Sequence, residues 1–265
     1  MKKYNINIIG AGNVGLAMAR QLQGISNLNV KIFNRTKIDV KNIDAHIFTE
    51  IKKTDLTADL FIIAVSDGAI ATVAAELAMR MGARAAQTLV VHTAGGVSSD
   101  VLSAHFPNVG TLYPLQTFSK QRLVDWSAVP MFVAAPPQYL GFLKGIAQHF
   151  SEKIYEMTDE KRAALHVSAV FVNNFTNYLC HIAAEIAESQ QLPFDVLQPL
   201  LKETVEKLEK MPALTAQTGP ARRADYKTIE KHKLFLDALN IENRATAKNL
   251  YEIFTNAILT KFHGV

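Results

Sequence analysis

YNINIIGAGNVGLAMARQLQG, residues 4–24, decides the fold. Ile6, Ile8 and Ile9 form a short apolar run of β-branched residues, suited to a buried strand. G-A-G-N-V-G follows, and an apolar helix from Leu16 to Leu22 continues it without a break. Each glycine has its own task. Gly10 permits the tight turn, Gly12 lets the backbone approach a pyrophosphate, and Gly15 lets helix and strand pack closely. The helix start offers unpaired N–H groups and a positive dipole end to phosphates. Gly10, Ala11, Gly12, Asn13, Val14 and Gly15 are therefore expected to cradle a dinucleotide, because the motif follows a strand and opens a helix.

The next strand is expected at 29–33, inside VKIFNRTK, residues 30–37. An NAD site usually places an acid at its end, about 20 residues past the last glycine, to hold the ribose hydroxyls. This chain has Asn34, Arg35 and Thr36 there. Arg35 carries the planar fork that pairs with phosphate, and Thr36 adds a hydroxyl donor. Asn34 is neutral and able to hydrogen-bond a ribose. The expected cofactor is NADP(H) rather than NAD(H). The plainer alternative is an ordinary turn with a solvated Arg35.

Outward from this motif, composition narrows the classes. The 265 residues suffice for one large domain or two of ordinary size. Hydrophobic residues make up 49% and charged residues 20%, a globular composition. The net charge of +4 is spread along the chain, with no dense Lys/Arg run to suggest nucleic acid. Cys180 is the one cysteine, which forbids an internal disulfide and fits a reducing cytoplasm. The start, Met1-Lys2-Lys3 then an apolar stretch, is interrupted by Asn5 and Asn7 and reads as the first strand rather than a signal peptide. No apolar run reaches the length of a membrane span.

Up to about 157 the pattern alternates strand and helix. Strands are expected at 58–67, 88–96, 108–118, 129–135 and 153–157, with helices at 68–82 and 136–150. Such alternation implies a doubly wound, mostly parallel sheet with helices on both faces, and a ligand beyond the carboxyl ends of the strands. The polar strand ends are thus candidates: Val65, Ser66 and Asp67, then His92 and Thr93, then Tyr113 and Gln116. After Thr158 no β-rich segment recurs. A long Ala-rich helix is expected over 159–191, another from Pro193 to about Met211, and further helices near 225–239 and 241–261. This gives an α/β Rossmann domain, 1–157, followed by an all-helical domain, 158–265, with the site in the cleft between them.

The succession GAGNVG, NRT, AVSD, HTAGG, LYPLQTF, HVSAVFVNNF and TGPARRADYKTIEKH resembles the Rossmann-like proteins with a DUF2520 C-terminal domain. These are provisionally labelled NADP oxidoreductases and are similar to pyrroline-5-carboxylate reductase, ketopantoate reductase and the 6-phosphogluconate dehydrogenase superfamily. The resemblance spans nearly the whole chain. It implies that HTAGG corresponds to a His-Ser-Ser-Gly-like turn at His92 to Gly95. LYPLQTF corresponds to a turn usually written His-Pro-Leu, with Tyr113 in place of the histidine. TGPARRAD corresponds to Gly-Pro-x-x-Arg-Gly-Asp at Gly219, Pro220, Arg223 and Asp225, with Ala224 replacing the glycine. The helix matches at His166 and Asn174. Some dehydrogenases of the superfamily carry a Lys four residues before that Asn; here the position is Val170, so a lysine mechanism does not transfer.

Hydride transfer to C=O or C=N needs a cofactor, a proton donor and groups that hold the substrate. His166 is the first candidate donor, since imidazole exchanges protons near neutral pH; a structural histidine is the equal alternative. Asn174 is the family match for orienting substrate, while Asn173, about two α-helical turns on, lies over His166 by helical spacing. Arg223 suits a substrate carboxylate, with a loop pair to Asp225 as its alternative. Ser66, Thr93 and Gly95 are expected at the cofactor; His92, Tyr113, Gln116, Arg223 and Asp225 at the substrate. His232 reads as a capping or solvated residue before a cleft one. His46, His105, His149, His181 and His263 show no partner pattern, and no metal motif, P-loop or hydrolase elbow occurs. The expected protein is an NADP(H)-dependent oxidoreductase acting on a small carboxylated ketone, imine or alcohol. The expected assembly is a homodimer, through the long Ala-rich helices. An NADP(H)-binding sensor without turnover is the rival from another class, and an FAD or NAD enzyme with an atypical ribose site is a third.

Overall fold

The computed structural model describes residues 2–37, 47–50, 53–119 and 122–264; His46 lies outside them. The chain divides into two compact units, Met1–Val170 and Phe171–Val265. The first unit holds the sheet: β1 (Tyr4–Ile9), β2 (Leu28–Phe33), β3 (Ile47–Phe48), β4 (Leu60–Ile63), β5 (Leu89–His92), β6 (Val109–Pro114), β7 (Met131–Ala134) and β8 (Ile154–Glu156). Their spatial order is β3-β2-β1-β4-β5-β6-β7-β8. All pairings are parallel except β6 with β7. The order reverses between β1 and β4, the switch point at which such sheets bind ligands.

Period-two alternation sorts the core into two faces. Ile6, Ile8, Leu60 and Ile62 join the cluster with α1 (Asn13–Leu22), whereas Ile9, Phe61 and Ile63 join the cluster with α2 (Ile70–Met81). β4 is buried along its whole length, as a central parallel strand must be. Asn7, 2% exposed, is satisfied there by the Asp55 carbonyl at 2.6 Å. A short α3 (Asp100–Ser103) and α4 (Pro137–Ala147) complete the layers; β3 and α3 carry too few residues to show a period in the sequence. Register aligns the site: Ile9 lies opposite both Phe33 and Ile63, so β1, β2 and β4 end at one level.

α5 (Asp159–Ala169) closes the first unit, beyond the strand end at 157. The helix expected over 159–191 is not one α-helix. A π segment, Val170–Phe175, follows α5 and leads into α6 (Thr176–Glu188). The Thr176 hydroxyl donates to the Phe171 carbonyl five residues back, at 3.3 Å. α7 (Gln198–Lys210), the short α8 (Ala213–Ala216), α9 (Tyr226–Ala238) and α10 (Arg244–His263) build the second unit. Its buried apolar clusters are small, one around Ile182, Leu236 and Leu239, the other around Ala221, Ile229 and Leu259. Among the described residues no helix is long and apolar enough to cross a membrane.

Candidate active site

The Gly-rich loop has the geometry its glycines imply. Gly10 sits at φ +109°, and a Cβ there would lie 2.3 Å from the Ala64 carbonyl oxygen. A Cβ on Gly15 would lie 2.0 Å from the Gly10 oxygen. Gly12 differs: a Cβ there would meet only the Ala64 oxygen, at 3.9 Å. That opening faces the start of α1, whose cap residue Gly12 supplies no side chain to the free N–H groups. The cradle therefore fits a pyrophosphate. Two of the expected contacts bond to other parts of the first unit. Asn13 Nδ2 donates to the Phe118 carbonyl at 2.8 Å, and the Ala11 N–H donates to Asn34 Oδ1 at 3.1 Å. Val14 is half-buried against the α1-side core.

Asn34 is thus a brace. Its amide also donates to the Thr36 carbonyl at 2.8 Å and to the Thr36 hydroxyl at 3.3 Å, so both ends of the side chain are engaged before any ribose arrives. Arg35 is exposed and lines a cleft of about 590 Å³. Val65 and Ser66 line it from the end of β4, and Thr72, Glu76 and Arg80 line it from α2. Arg80 escaped the motif reading. Its only trace in the sequence is the stripe Ala69, Val73, Glu76 and Arg80, at steps of three and four along one helix face. Asp67 is exposed in the turn before α2.

Farther along the same sheet edge the structure joins residues distant in sequence. The Tyr113 hydroxyl and His166 Nδ1 are 3.2 Å apart. The imidazole lies on the Gly95-Gly96 backbone: a Cβ on Gly95 would come within 2.5 Å of His166 Nδ1 and 2.8 Å of Tyr113 Cζ. A Cβ on Gly96 would stand 3.3 Å from His166 Cδ2. Burial raises the Tyr113 phenol above its ordinary pKa of 10.0; the Arg162 charge opposes this and the Asp67 carboxylate adds to it. Thr93 is buried, its N–H bonded to the Ile63 carbonyl at 3.2 Å.

His92, expected at the substrate, is fully buried; its Nδ1 accepts the Ala94 N–H at 3.1 Å and so holds the turn, while its buried Nε2 has no partner among the described residues. Burial, then the Arg162 charge, lowers its pKa from 6.5 to about 4, and the imidazole is neutral at physiological pH. Arg162, 1% exposed, was not anticipated. It pairs with Asp159 at 2.5 Å and donates to Thr111 Oγ1 at 3.3 Å and to the Val97 carbonyl. Asp159 also accepts from Ser98 Oγ and from the N–H and hydroxyl of Ser99. Burial alone would raise Asp159, but these hydrogen bonds outweigh it and bring the carboxyl to about 2. The network fastens α5 to the loop after His92, and so fixes His166 one turn farther along.

The other expected residues lie elsewhere. Gln116 is exposed after β6, its Oε1 accepting the Thr117 N–H at 2.8 Å. Asn173 and Asn174 are exposed within the π segment of the second unit. The two-turn count of seven residues that favoured Asn173 fails across that segment, because an i→i+5 turn holds one residue more. Arg223 is exposed. Asp225 caps α9, accepting the Thr228 N–H at 3.0 Å and the Thr228 hydroxyl at 2.7 Å, which depresses its pKa. Ala224, in the place of the family's glycine, takes the left-handed conformation at φ +53°. Three histidines have partners the sequence did not show: His232 Nδ1 with the Tyr251 hydroxyl at 2.9 Å, His181 with Glu185 at 3.3 Å, and His263 with the Arg222 carbonyl at 3.1 Å. Among the described residues no group of three or more metal-ligating side chains gathers.

The comparisons with known proteins follow this geometry. Residues 1–116 match the Rossmann-like domain model, and residues 129–258 match the model described as a domain of unknown function, DUF2520. BF3122 from Bacteroides fragilis, provisionally named an NADP oxidoreductase, is 35% identical, with 97% of this chain and 98% of that one aligned at a TM-score of 0.82. The chain belongs to the Rossmann-like/DUF2520 family. Lower identity accompanies other members of the fold. An imine reductase from Myxococcus stipitatus in complex with NADP+ is 15% identical, with coverage of 97% and 99% and a TM-score of 0.70. A pyrroline carboxylate reductase from Plasmodium falciparum with NADP bound is 12% identical, with coverage of 98% and 99% and a TM-score of 0.62. No curated protein matches the sequence. As a Rossmann-like/DUF2520 protein, the chain pairs a dinucleotide-type sheet with a helical C-terminal region.

Proposed function

We propose that this chain is an NADP(H)-dependent oxidoreductase that moves a hydride to or from a small, carboxylated ketone, imine or alcohol. One observation carries the reading. The Tyr113–His166 pair rests on Gly95-Gly96 at the same carboxyl edge of the sheet as the Gly-rich cradle and the Arg35 cleft. The cofactor, when bound, supplies or takes up the hydride. Gly10, Gly12, Gly15 and the start of α1 hold its pyrophosphate; Arg35, with Thr36 beside it, holds the 2′-phosphate; Val65, Ser66, Thr93 and Gly95 border the rest. The names of the Bacteroides relative and of the two reductases support the choice of chemistry.

Tyr113 delivers its phenolic proton to the substrate oxygen or nitrogen as the double bond is reduced, and His166 restores that proton through Nδ1. The raised pKa keeps the phenol protonated at neutral pH, as a donor requires. The family's imidazole is thus replaced in role by a phenol backed by an imidazole. Asn173, Asn174 and Arg223, all exposed in the second unit, are the substrate contacts that the family resemblance implies. The functional division is 1–157 for cofactor and 158–265 for substrate and dimerisation, with α5 lending His166 to the cofactor unit. The dimer reading rests on uncovered apolar side chains: α7 buries none of its residues, and Leu200, Val205 and Leu208 are 65%, 54% and 50% exposed. We assign the protein to the cytoplasm on its single cysteine.

The test is NADPH consumption across a panel of keto acids and cyclic imines, with sedimentation measured in parallel. Turnover of any member that disappears in Tyr113→Phe supports the reading. Tight NADPH binding with no turnover, and a change of assembly on binding, transfers the chain to the sensor class.

A further inference from the structure

We propose that Arg80 of α2 is a second cation for the 2′-phosphate, gripping it from the helix side of the cleft that Arg35 lines from the strand side. The inference rests on the NADP(H) reading and deepens it. The two arginines come from elements far apart in sequence yet line one cleft of about 590 Å³. Among the described residues neither enters an ion pair. Glu76 precedes Arg80 by one turn, the orientation in which an acid and a base on a helix pair best, yet no pair forms between them. Neither guanidinium has an ion-pair partner among the described residues, and a phosphate dianion would supply one to each. A phosphate monoester offers three acceptor oxygens; one bidentate fork uses two and leaves a place for a second donor.

Reach agrees. The cleft follows α2 from Ala69 to Arg80, three helical turns or about 16 Å. That length suits an adenosine with its ribose phosphate, not a pyrophosphate alone. Thr72, on the same face, adds a hydroxyl. The floor is apolar, formed by Ile9, Phe33 and Leu77, and the charged groups that line the cleft are Arg35, Arg80 and the Glu76 carboxylate one turn before Arg80.

The experiment is calorimetric titration of the full chain and of Arg80→Gln, Arg80→Lys and Arg35→Gln with NADPH, NADH and adenosine 2′,5′-bisphosphate. Thermal melting first checks that each variant folds, as an exposed Arg80 allows. Arg80→Gln is expected to weaken NADPH and the bisphosphate roughly tenfold and to leave NADH within about twofold, the size of one charge-assisted hydrogen bond. Arg80→Lys is expected to recover part of the loss. Equal loss for NADPH and NADH would place Arg80 on the adenine and overturn the proposal. An unchanged Arg80→Gln beside a weakened Arg35→Gln overturns it too, while leaving the NADP reading standing. A parent chain that binds NADPH no better than NADH removes the NADP reading and this proposal together.

Discussion

Tyr113 and His166 stand 53 residues apart in sequence, and their Oη and Nδ1 are 3.2 Å apart in the fold. The contact exists because Gly95 has no side chain; any Cβ at that position would overlap both rings. A phenol replaces the family's imidazole at the end of β6, and an imidazole from α5 meets it.

Tyr113→Phe removes the proposed proton donor and keeps the ring. The expected result is a fall of roughly 10²- to 10⁴-fold in kcat/KM, the usual span for a general acid, with NADPH affinity unchanged. Because burial raises the phenol above 10.0, the parent's reductive rate should hold through neutral pH and decline only on the alkaline side. Steady-state rates against pH check this. A variant that retains the parent's rate and alkaline limb would remove Tyr113 from the chemistry.

Gly95→Ala tests positioning rather than chemistry. Its methyl would sit 2.5 Å from His166 Nδ1 and 2.8 Å from Tyr113 Cζ, so one ring must move. A displacement of about 1 Å is expected to cost roughly 10²-fold in kcat. Melting temperature and turnover, read together, separate a displaced pair from a broken fold.

His92 makes stability depend on acid. Its folded pKa, about 4, lies below the unfolded value of 6.5, so the unfolded chain binds the extra proton first. The stabilisation is complete above 6.5 and is lost as pH falls toward 4, by roughly 3 kcal/mol for this one group. Asp159, lowered from 3.8 to about 2, adds a second loss below that window. Urea midpoints measured across both windows should show the two segments, and His92→Gln should flatten the upper one alone. A parent profile that is already flat between 4 and 6.5 contradicts the assignment.

Ala224→Gly should stabilise the chain. Ala224 holds φ +53°, which costs an L-residue about 1–2 kcal/mol, more than the added chain entropy of glycine. The expected gain is roughly 0.5–1 kcal/mol, a rise of a few degrees in Tm. Scanning calorimetry decides it, and a lower Tm would mean that the loop relaxes around the alanine methyl.

The sequence by itself determined the Gly-rich turn, the alternation of strand and helix, and the change to helices after Thr158. The alternation of faces along β1 and β4, with Ile6, Ile8, Leu60 and Ile62 on one side, and the tasks of Gly10 and Gly15 are local properties of adjacent residues, and local pattern encodes them. It also showed Arg35 just past the strand that the structure ends at Phe33. Only the tertiary structure decided which polar side chains are buried, capped or left open in a cleft. His92 is buried with Nδ1 on the Ala94 turn, and Asp225 caps α9, engagements that no motif announces. Arg80 was invisible because no rule of spacing links α2 to the end of β2, though both line one cleft. The π segment changed the helical phase near Asn173 and Asn174 without any proline or glycine to announce it. The physical reason is common to these cases: a hydrogen-bond partner or an open cleft depends on where distant strands and helices end, and that is fixed by packing across the whole sheet.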